Sequence, residues 1–456
     1  MKVYSFSSGG INIEDGFAPD GECSNLAFLP EQVVIPLSTE AGSRSIPVVS
    51  AGQHIEEGML LARGQGSGSA NIYSPIPGSL RKMIKWEPAP GFLSDAFVIR
   101  LEGSFKRLGK QENRYNWAEF NRFEIQSLIS EYGITEMDGL GRPLIDIFSA
   151  YNAARSSFTL VVRCIFDDPW LAADYCLCKE KVDAVAEGSL VTAKAVGAEA
   201  ILFAVSASGR KIGEALFNSV KQREAQARLT VSLILTGSRY PQRSDYVMEN
   251  ALRLYEKKEG AGKGGFLILG PATVAAVHDA VVLRTPALER YVAVGGAAVK
   301  HPMVIRSRIG ARLRDIFAEC GGFCVKPENI AVTGLGSPLL GRSAGLDEPI
   351  LKTSSGVFAI PVKRSEAIFN KFRRLKKIHD GLPSDVCISC GECRNVCPAR
   401  LDPEDLYKGI KDGKRGDDAR YLRCIGCGCC EAACPSKLPL CTVIVRSRLK
   451  GDACAV

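Results

Sequence analysis

The first hundred residues contain short apolar stretches separated by turn-forming residues. Stretches at 33–35, 46–49 and 97–99 are rich in valine, isoleucine and phenylalanine, and glycine or proline residues lie between them. Glycines at regular spacing among β-branched residues are typical of the corners of a small barrel or sandwich. Residues 29–103 are therefore predicted to form a compact all-β module.

The hydrophobic pattern changes after this module. Residues 105–135 are polar and charged, which predicts a helix and a linker. Between residues 155 and 275, continuous apolar segments alternate with stretches rich in alanine, glutamate and lysine. This alternation predicts buried parallel strands covered by helices. The predicted strands are 159–163, 200–205, 231–235 and 266–269, and the clearest predicted helices are 183–195 and 212–227.

Two further segments follow the α/β region. Residues 288–345 are rich in β-branched residues and glycine, and a helical pattern at 309–318 predicts a small α+β unit. At 365–380, Ile368, Phe372 and Leu375 share one helical face, while lysine and arginine residues crowd the other. This pattern predicts a basic helix, whose charged face is either solvated or docked to an acidic partner or a membrane surface.

The composition is that of a folded multidomain protein. The chain has 456 residues, of which 46% are hydrophobic and 24% charged, and its formal net charge is +8. This length predicts several domains, and the hydrophobic fraction excludes a disordered or collagen-like chain. No apolar run approaches the length of a transmembrane helix, and the first residues lack the hydrophobic region of a signal peptide. We therefore expect a cytoplasmic chain, and no nucleic-acid-binding signature stands out.

Cysteine is the most unusual component of the sequence. There are 17 cysteines, and ten of them lie between Cys387 and Cys441. Residues 387–398 fit the pattern C-x2-C-x2-C-x3-C-P, and residues 424–435 repeat it. A secreted disulfide scaffold is normally smaller and carries a signal peptide, so this clustering indicates metal binding. The repeated pattern is typical of a ferredoxin module that holds two [4Fe–4S] clusters.

The spacing also assigns the ligands. In two-cluster ferredoxins the fourth cysteine of each motif, which precedes proline, binds the other cluster. A pair of zinc sites is the alternative, but zinc typically uses two separated C-x2-C pairs for each ion. Electron transfer is the expected role, because four cysteine ligands leave no open iron for a substrate. Cys429 and Cys441 fall outside the pattern. The predicted ligands are Cys387, Cys390, Cys393 and Cys434 for the first cluster, and Cys424, Cys427, Cys430 and Cys397 for the second.

The all-β module resembles the barrel-sandwich hybrid of lipoyl and biotinyl carrier domains. The positions of Gly52, Gly58 and Gly78 among apolar residues carry this resemblance. Carrier domains attach their cofactor to a lysine in the central hairpin, whereas residues 64–71 contain no lysine. We therefore expect this module to have a packing role.

The order of the parts resembles the RnfC family, the C subunits of Rnf complexes. Anchors of the resemblance are the sequences at 35–37, 240–242, 289–294 with 314–315, 336–341 and 434–440. The resemblance implies a multidomain α/β and α+β protein, with an α/β domain similar to the flavin subunit of respiratory complex I. The implied domains are a barrel-sandwich hybrid (1–104), the flavin/NADH-subunit-like domain (105–285), a β-grasp or SLBB domain (286–362), and the basic helix with a helical two-cluster ferredoxin module (363–456).

The resemblance also implies a function. The chain would be an electron-transfer subunit of a membrane-bound, ion-translocating oxidoreductase complex, and would relay electrons through its two clusters between a soluble carrier and membrane subunits. Its partners would be the membrane and flavoprotein subunits of the complex and the soluble carrier. It would lie peripherally on the cytoplasmic face of the inner membrane.

Three nucleotide-binding segments depart from the family pattern. The family's flavin loop resembles G-x-G-G-A-x-F-P-T, whereas residues 138–144 form a shortened segment that contains Arg142. Arg163 stands where the segment N-x-x-E-x-E-P begins with asparagine, and Arg243 begins Arg-Ser-Asp where Gly-Gly-Glu is expected. The remaining candidate flavin and NADH positions are Gly139, Gly141 and Asp168.

These departures predict that the α/β domain is retained mainly as a scaffold. They argue against NADH oxidation at this subunit and bring FMN binding into question, although Arg142, Arg163 and Arg243 could hold another anion. Two alternatives remain open from the sequence. One is an NADH dehydrogenase subunit with a non-standard FMN site, and the other is a non-catalytic assembly or docking subunit.

Overall fold

A computed structural model describes most of the chain. It covers residues 2–13, 18–19, 21–38, 43–89, 92–106, 108, 110, 113–154, 157–166, 168, 172–223, 229–259, 265–334, 342–361, 386–412 and 419–452. The predicted basic helix at 365–380 and the family anchor at 336–341 lie outside these ranges. None of the helices within them combines the length and the hydrophobicity needed to cross a lipid bilayer.

The first two strands belong to two different sheets. β1 (Val3–Tyr4) pairs in parallel with an edge strand of the α/β domain, where Val3 lies opposite Leu235. β2 (Ser24–Leu26) pairs in parallel with a strand of the third unit, where Asn25 lies opposite Ile305. The residues before the barrel therefore form an N-terminal arm. The backbone hydrogen bonds of these two strands are made with sheets outside the barrel.

Two antiparallel sheets form the barrel that follows the arm. Val33, Leu61 and Ile99 contribute to its buried core. Its strands are β3 (Gln32–Pro36), β4 (Ile46–Pro47), β5 (His54–Ile55), β6 (Leu60–Arg63), β7 (Ile72–Tyr73), β8 (Gly78–Ala89) and β9 (Phe92–Leu101). The first sheet has the order β3-β9-β8-β5, and the second has the order β4-β6-β7.

The hairpin loop between β6 and β7 is anchored to the α/β domain. The amide of Gly68 donates to the carboxylate of Asp146 at 2.6 Å, and the side-chain amide of Asn71 donates to the carbonyl of Glu131 at 2.9 Å. Gly133 has φ +61°, and a Cβ added to it would lie 2.0 Å from the carbonyl oxygen of Asn71. The two backbones are in direct contact, which agrees with the packing role predicted for this hairpin.

The α/β domain is built on a five-stranded parallel sheet. The four predicted strands are confirmed as β10 (Thr159–Cys164), β11 (Ala200–Ser206), β12 (Thr230–Thr236) and β13 (Phe266–Leu269). The sheet order is β1-β12-β11-β10-β13, with every neighbouring pair parallel. Its strands are almost wholly buried, as expected for a parallel sheet that is covered by helices on both faces.

Seven helices of the described chain accompany this sheet. They are α1 (Arg122–Glu131), α2 (Leu144–Ala154), α3 (Ala172–Glu180), α4 (Val182–Val196), α5 (Arg210–Gln222), α6 (Asp245–Glu259) and α7 (Pro271–Val282). Asn121 and Glu124 form a capping box at the start of α1. Helices α4 and α7 pack very closely at Gly188, where an added Cβ would lie 2.0 Å from the carbonyl oxygen of Val274.

The third unit is a mixed six-stranded sheet with one helix. Its elements are β14 (Glu289–Gly295), β15 (Met303–Arg308), α8 (Leu313–Glu319), β16 (Ile330–Gly334), β17 (Arg342–Ala344) and β18 (Gly356–Pro361), and the order is β17-β16-β18-β14-β15-β2. The helix predicted at 309–318 begins only at Leu313. Gly310 has φ +87° and its amide donates to the carbonyl of Ile350 at 2.7 Å, which is incompatible with a helix there.

The cysteine-rich module contains short helices around its loops. They are α9 (Glu392–Asn395), α10 (Pro403–Lys411), α11 (Cys429–Ala432) and α12 (Leu440–Asp452). Helix α10 begins with a capping residue followed by proline. Asp402 accepts a hydrogen bond from the amide of Asp405 at 3.3 Å, and Pro403 occupies the first helical position.

The N-terminal arm also contacts the cysteine-rich module. The amide of Gly10 donates to the carbonyl of Val396 at 2.8 Å, and Arg400 donates to the hydroxyl groups of Ser7 and Ser8 at 2.7 and 3.0 Å. Gly9 has φ +75°, and an added Cβ would lie 2.5 Å from the backbone of Cys397. The arm therefore joins this module to the α/β domain.

We predict that Gly188→Ala destabilises the α4–α7 contact by about 2 kcal/mol, because the new methyl group would overlap the Val274 carbonyl. Gly409→Ala in α10 is the control, since an added Cβ there meets nothing within 4 Å. That change should stabilise its helix by up to about 1 kcal/mol. Hydrogen exchange resolved by helix measures both effects, and unchanged protection of α4 in Gly188→Ala would contradict the prediction.

Candidate metal centres

The two cysteine motifs adopt the same backbone conformation. In each motif, a residue with positive φ precedes the second cysteine, and a glycine with positive φ precedes a short helix that carries the third. A further positive-φ residue lies three positions after the fourth cysteine. The equivalent pairs are Ser389 (φ 52°) and Gly426 (φ 66°), Gly391 (φ 76°) and Gly428 (φ 80°), and Arg400 (φ 53°) and Lys437 (φ 49°). These left-handed residues turn each loop tightly, so that three cysteines can face one point.

The first group of cysteines surrounds a small cavity. Three of its members come from the first motif and one from the second, and the proline and serine that follow this fourth cysteine complete part of the wall. The members are Cys387, Cys390, Cys393 and Cys434. The structure therefore brings together the four residues that the spacing predicts for the first cluster.

The second group of cysteines draws its members from the two motifs in the opposite proportion. Its cavity is lined by three cysteines of the second motif and the last cysteine of the first motif, and Cys441 from α12 lines the same cavity. The predicted members are Cys424, Cys427, Cys430 and Cys397. Sequence reasoning missed the position of Cys441, because no spacing rule relates it to the motifs.

Backbone amides point at sulfur atoms in both groups. The amide of Ser389 donates to Sγ of Cys387 at 3.4 Å, and the amide of Leu401 donates to Sγ of Cys397 at 3.3 Å. Burial raises the pKa of the Cys397 thiol, whereas hydrogen bonds from backbone N–H groups act in the opposite direction. Because a cysteine binds metal as the thiolate, these amides stabilise the form that a metal requires.

Each group of four cysteines encloses a space. An enclosed space with thiol groups on several sides fits a ligand with several metal corners, such as a [4Fe–4S] cluster.

The two groups differ in their surroundings. In the first group Cys390 is exposed, and the neighbouring Val386 and Ile388 are 78% and 66% exposed. The second group lies against the α/β domain, where the hydroxyl of Tyr240 donates to the carbonyl of Cys427 at 2.7 Å. Cys429 is fully buried in an apolar contact with this tyrosine. The first group therefore faces solvent and the second faces the α/β domain.

A cluster of charged side chains lies at the carboxyl edge of the parallel sheet. Arg163, near the end of β10, forms ion pairs with both Asp138 and Asp245. Arg243 forms a second ion pair with Asp138 at 3.3 Å. A Cβ added to Gly270, just before α7, would lie 2.7 Å from the Asp138 carboxylate, so this carboxylate sits against the start of that helix. Residues of all three altered segments thus meet at one place.

Two more residues extend this cluster. Asp174 of α3 lies 3.7 Å from both Arg243 and Arg290, and Arg290 donates to the carbonyl of Met137 at 3.3 Å. Burial alone would raise the pKa of Asp138, but Arg163 and Arg243 lower it to about 2. The three arginines and the three aspartates of this network balance each other in charge. Sequence reasoning did not assign Asp174 or Arg290 to this site, because neither belongs to the three altered segments.

Family models match four successive parts of the chain. They are the RnfC barrel sandwich hybrid domain over residues 8–104, the Nuo51 FMN-binding domain over 129–279, the SLBB domain over 291–342 and the 4Fe-4S dicluster domain over 380–435.

Curated relatives match most of the chain. The C subunit of the proton-translocating ferredoxin:NAD(+) oxidoreductase complex of Clostridium ljungdahlii is 28% identical over 85% of this chain and 82% of its own length. The C subunit of the ion-translocating oxidoreductase complex of Rhodobacter capsulatus is 26% identical over 90% of this chain and 76% of its own length. The chain is thus similar to RnfC-family proteins over most of its length. Among solved structures, it is similar to a chain of an NAD+-reducing [NiFe]-hydrogenase in the air-oxidized state, with 15% identity and a TM-score of 0.46 over 72% of this chain and 61% of that chain.

The charged cluster does not fit a bound FMN. A flavin phosphate needs donors that are free to accept a new anion. Here the guanidinium groups of Arg163 and Arg243 are already paired with buried carboxylates, so a phosphate would have to displace them. The match to an FMN-binding domain therefore coincides with arginines that are already engaged in ion pairs.

The three predicted flavin and NADH positions have different surroundings. Gly139 has φ +98°, and an added Cβ would lie 2.7 Å from the Glu136 carboxylate. Both the backbone conformation and the lack of space therefore favour glycine at this position. Gly141 lines a separate cavity beside the barrel. Asp168 is buried. Arg142 pairs with Glu136 at 3.2 Å and lies outside the charged cluster.

We predict that Asp138→Asn destabilises the α/β domain by about 3–5 kcal/mol, because it leaves the buried network of arginines with one uncompensated positive charge. Arg142→Gln, in the same loop, is the control. Its ion pair is half exposed, so its loss should cost at most about 1 kcal/mol. Hydrogen exchange of β10 in increasing urea measures both values. A loss below about 1 kcal/mol in Asp138→Asn would show that the network contributes little.

Proposed function

We propose that this chain is the electron-transfer subunit of a membrane-bound, Rnf-type, ion-translocating oxidoreductase complex. It would relay electrons through two [4Fe–4S] clusters between a soluble carrier and the membrane subunits. The observation that carries this proposal is the crosswise arrangement of two four-cysteine groups around separate cavities. The names of the curated relatives as subunits of ion-translocating complexes support the same conclusion.

The proposed ligands of the first cluster are Cys387, Cys390, Cys393 and Cys434, and those of the second are Cys424, Cys427, Cys430 and Cys397. When bound, a [4Fe–4S] cluster with four thiolate ligands accepts and releases single electrons. The protein supplies the thiolates, the amide hydrogen bonds to sulfur and the apolar walls that limit water. Leu438 and Leu440 in the first cavity, and Ile425 and Ile444 in the second, provide such walls.

The different exposure of the two groups supports an assignment of their roles. The first group has the exposed Cys390 and an apolar rim at Val386 and Ile388, which suits contact with another redox protein. The second group is held against the α/β domain through Tyr240. We therefore assign exchange with a partner protein to the first group, and we regard the α/β domain as the scaffold that positions the second.

We place the chain at the cytoplasmic face of the inner membrane, where other subunits of the complex would hold it peripherally. The relatives support an association with a complex, because their names describe them as its subunits. The membrane and flavoprotein subunits and a soluble electron carrier are the proposed partners.

The ligand assignment predicts a difference between two adjacent cysteines. The anaerobically purified chain should contain about eight iron atoms, and Cys430→Ala should reduce this number to about four. Cys429→Ala is the matched control and should keep about eight, because this side chain packs against Tyr240 outside the cavity. Iron analysis and electron paramagnetic resonance of the reduced proteins distinguish the variants. Fewer than about four irons in the unmodified chain would reject the two-cluster proposal.

The charged cluster predicts that the purified chain holds no stoichiometric flavin, because its arginines are already paired. Acid precipitation should release no FMN, and NADH should not bleach the visible spectrum, whereas dithionite should. Release of one flavin per chain, together with bleaching by NADH, would instead support an NADH dehydrogenase subunit with a non-standard site.

A further inference from the structure

A cavity lies where the barrel, the α/β domain and the third unit meet. Its volume is about 90 Å³, and its walls include Ile72 of the barrel, Thr135 of the α/β domain and Leu351 of the third unit. An apolar cavity of about 150 Å³ can hold benzene, so this one has room for a molecule of a few non-hydrogen atoms. It is separate from both cysteine cavities and from the charged cluster.

The cavity contains a lysine without a counter-charge. The ammonium group of Lys352 donates to the carbonyl of Gly133 at 2.9 Å. In the described part of the chain no carboxylate pairs with it, and burial alone lowers its pKa to about 8. An ammonium group has three N–H donors, so two remain available. Lys352 is partly buried, and removing a charge from water without a partner is costly, which indicates that an anion completes this site.

Two threonine hydroxyl groups beside the lysine are also unsatisfied. Thr135 and Thr353 both line the cavity, and Oγ1 of each is buried without a hydrogen-bond partner among the described residues. Thr135 is only 1% exposed, so bulk water does not solvate this hydroxyl. Buried hydroxyl groups in native proteins normally have partners. The lysine and the two threonines together can donate several hydrogen bonds to one acceptor group.

The rest of the lining is largely apolar. Aliphatic side chains from the barrel and the third unit, Ile35, Ile72, Ile309 and Leu351, face the same space as the donors. A phosphate would leave these walls without a matching apolar group, and it would need more positive charge than one lysine supplies. A ligand with one negative charge and a short hydrocarbon part matches both sets of residues.

We propose that this cavity binds a small aliphatic monocarboxylate. The carboxylate accepts hydrogen bonds from Lys352, Thr135 and Thr353, and the hydrocarbon part lies against the aliphatic walls. Because the cavity walls come from three domains, the bound acid links the barrel to the rest of the chain. The proposal is independent of the clusters and of the function proposed above.

Butyrate and its uncharged analogue butyramide test this proposal on the full-length, anaerobically purified chain. Titrations followed by saturation-transfer NMR near pH 7 give both affinities, since Lys352 is mainly protonated there. Butyrate should bind at least about tenfold more tightly than butyramide, because only the anion compensates the lysine charge. Lys352→Met should weaken butyrate binding about tenfold or more and leave butyramide binding unchanged. Lys300→Met, at an exposed lysine of the same domain, is the control and should bind butyrate normally.

Three results would overturn the proposal. They are equal affinities for the two compounds, no saturable butyrate binding up to about 50 mM, and unchanged butyrate binding in Lys352→Met. If Lys352→Met does not fold, Thr135→Val and Thr353→Val replace it, and each should weaken butyrate binding several-fold. The iron content measured on the same samples separates this result from the cluster proposal, because these variants should retain all their iron.

Discussion

Each cysteine cavity is complete only when both motifs are folded, because one of its four proposed ligands comes from the other motif. This exchange of Cys397 and Cys434 constrains the whole module. The segment between the motifs must bring the second motif back beside the first. Helix α10, which is capped by Asp402, lies in this segment. Residues in the left-handed conformation recur at equivalent positions of both motifs and turn each loop tightly around its cavity. A change in either half therefore affects both cavities.

The cysteine-rich end of the chain packs against a domain whose nucleotide-binding segments form ion pairs with one another. Asp138 occupies the start of α7, a position that favours negative charge, and Arg163 holds it there. The same domain still provides the surface against which Cys429 and the Cys427 carbonyl pack, through Tyr240. The fold of a flavin-binding domain can thus be kept for the support it gives to a neighbouring redox module.

Much of this organisation could be predicted from the sequence, since the relevant signals are local. The cysteine spacing predicts the two groups, and the apolar runs predict β10 to β13 closely. Contacts between distant segments could not be predicted. Nothing near Asp174 or Arg290 indicates that they meet, and nothing in residues 1–26 indicates two separate sheets. The helix start at 309 was wrong because Gly310 is bound to Ile350, a partner that periodicity does not reveal.

The N-terminal arm has a consequence for the synthesis of the protein. Val3 pairs with Leu235, and Gly10 hydrogen-bonds to Val396, so the arm obtains its partners only after several hundred further residues have been made. At about 5–20 residues per second, the interval between the synthesis of Gly10 and that of Val396 is on the order of 20 to 80 seconds. The barrel can form meanwhile from its own strands, because its pairing is local. The arm can dock completely only after the first cysteine motif has emerged, so the contact between the cysteine-rich module and the α/β domain forms late in assembly.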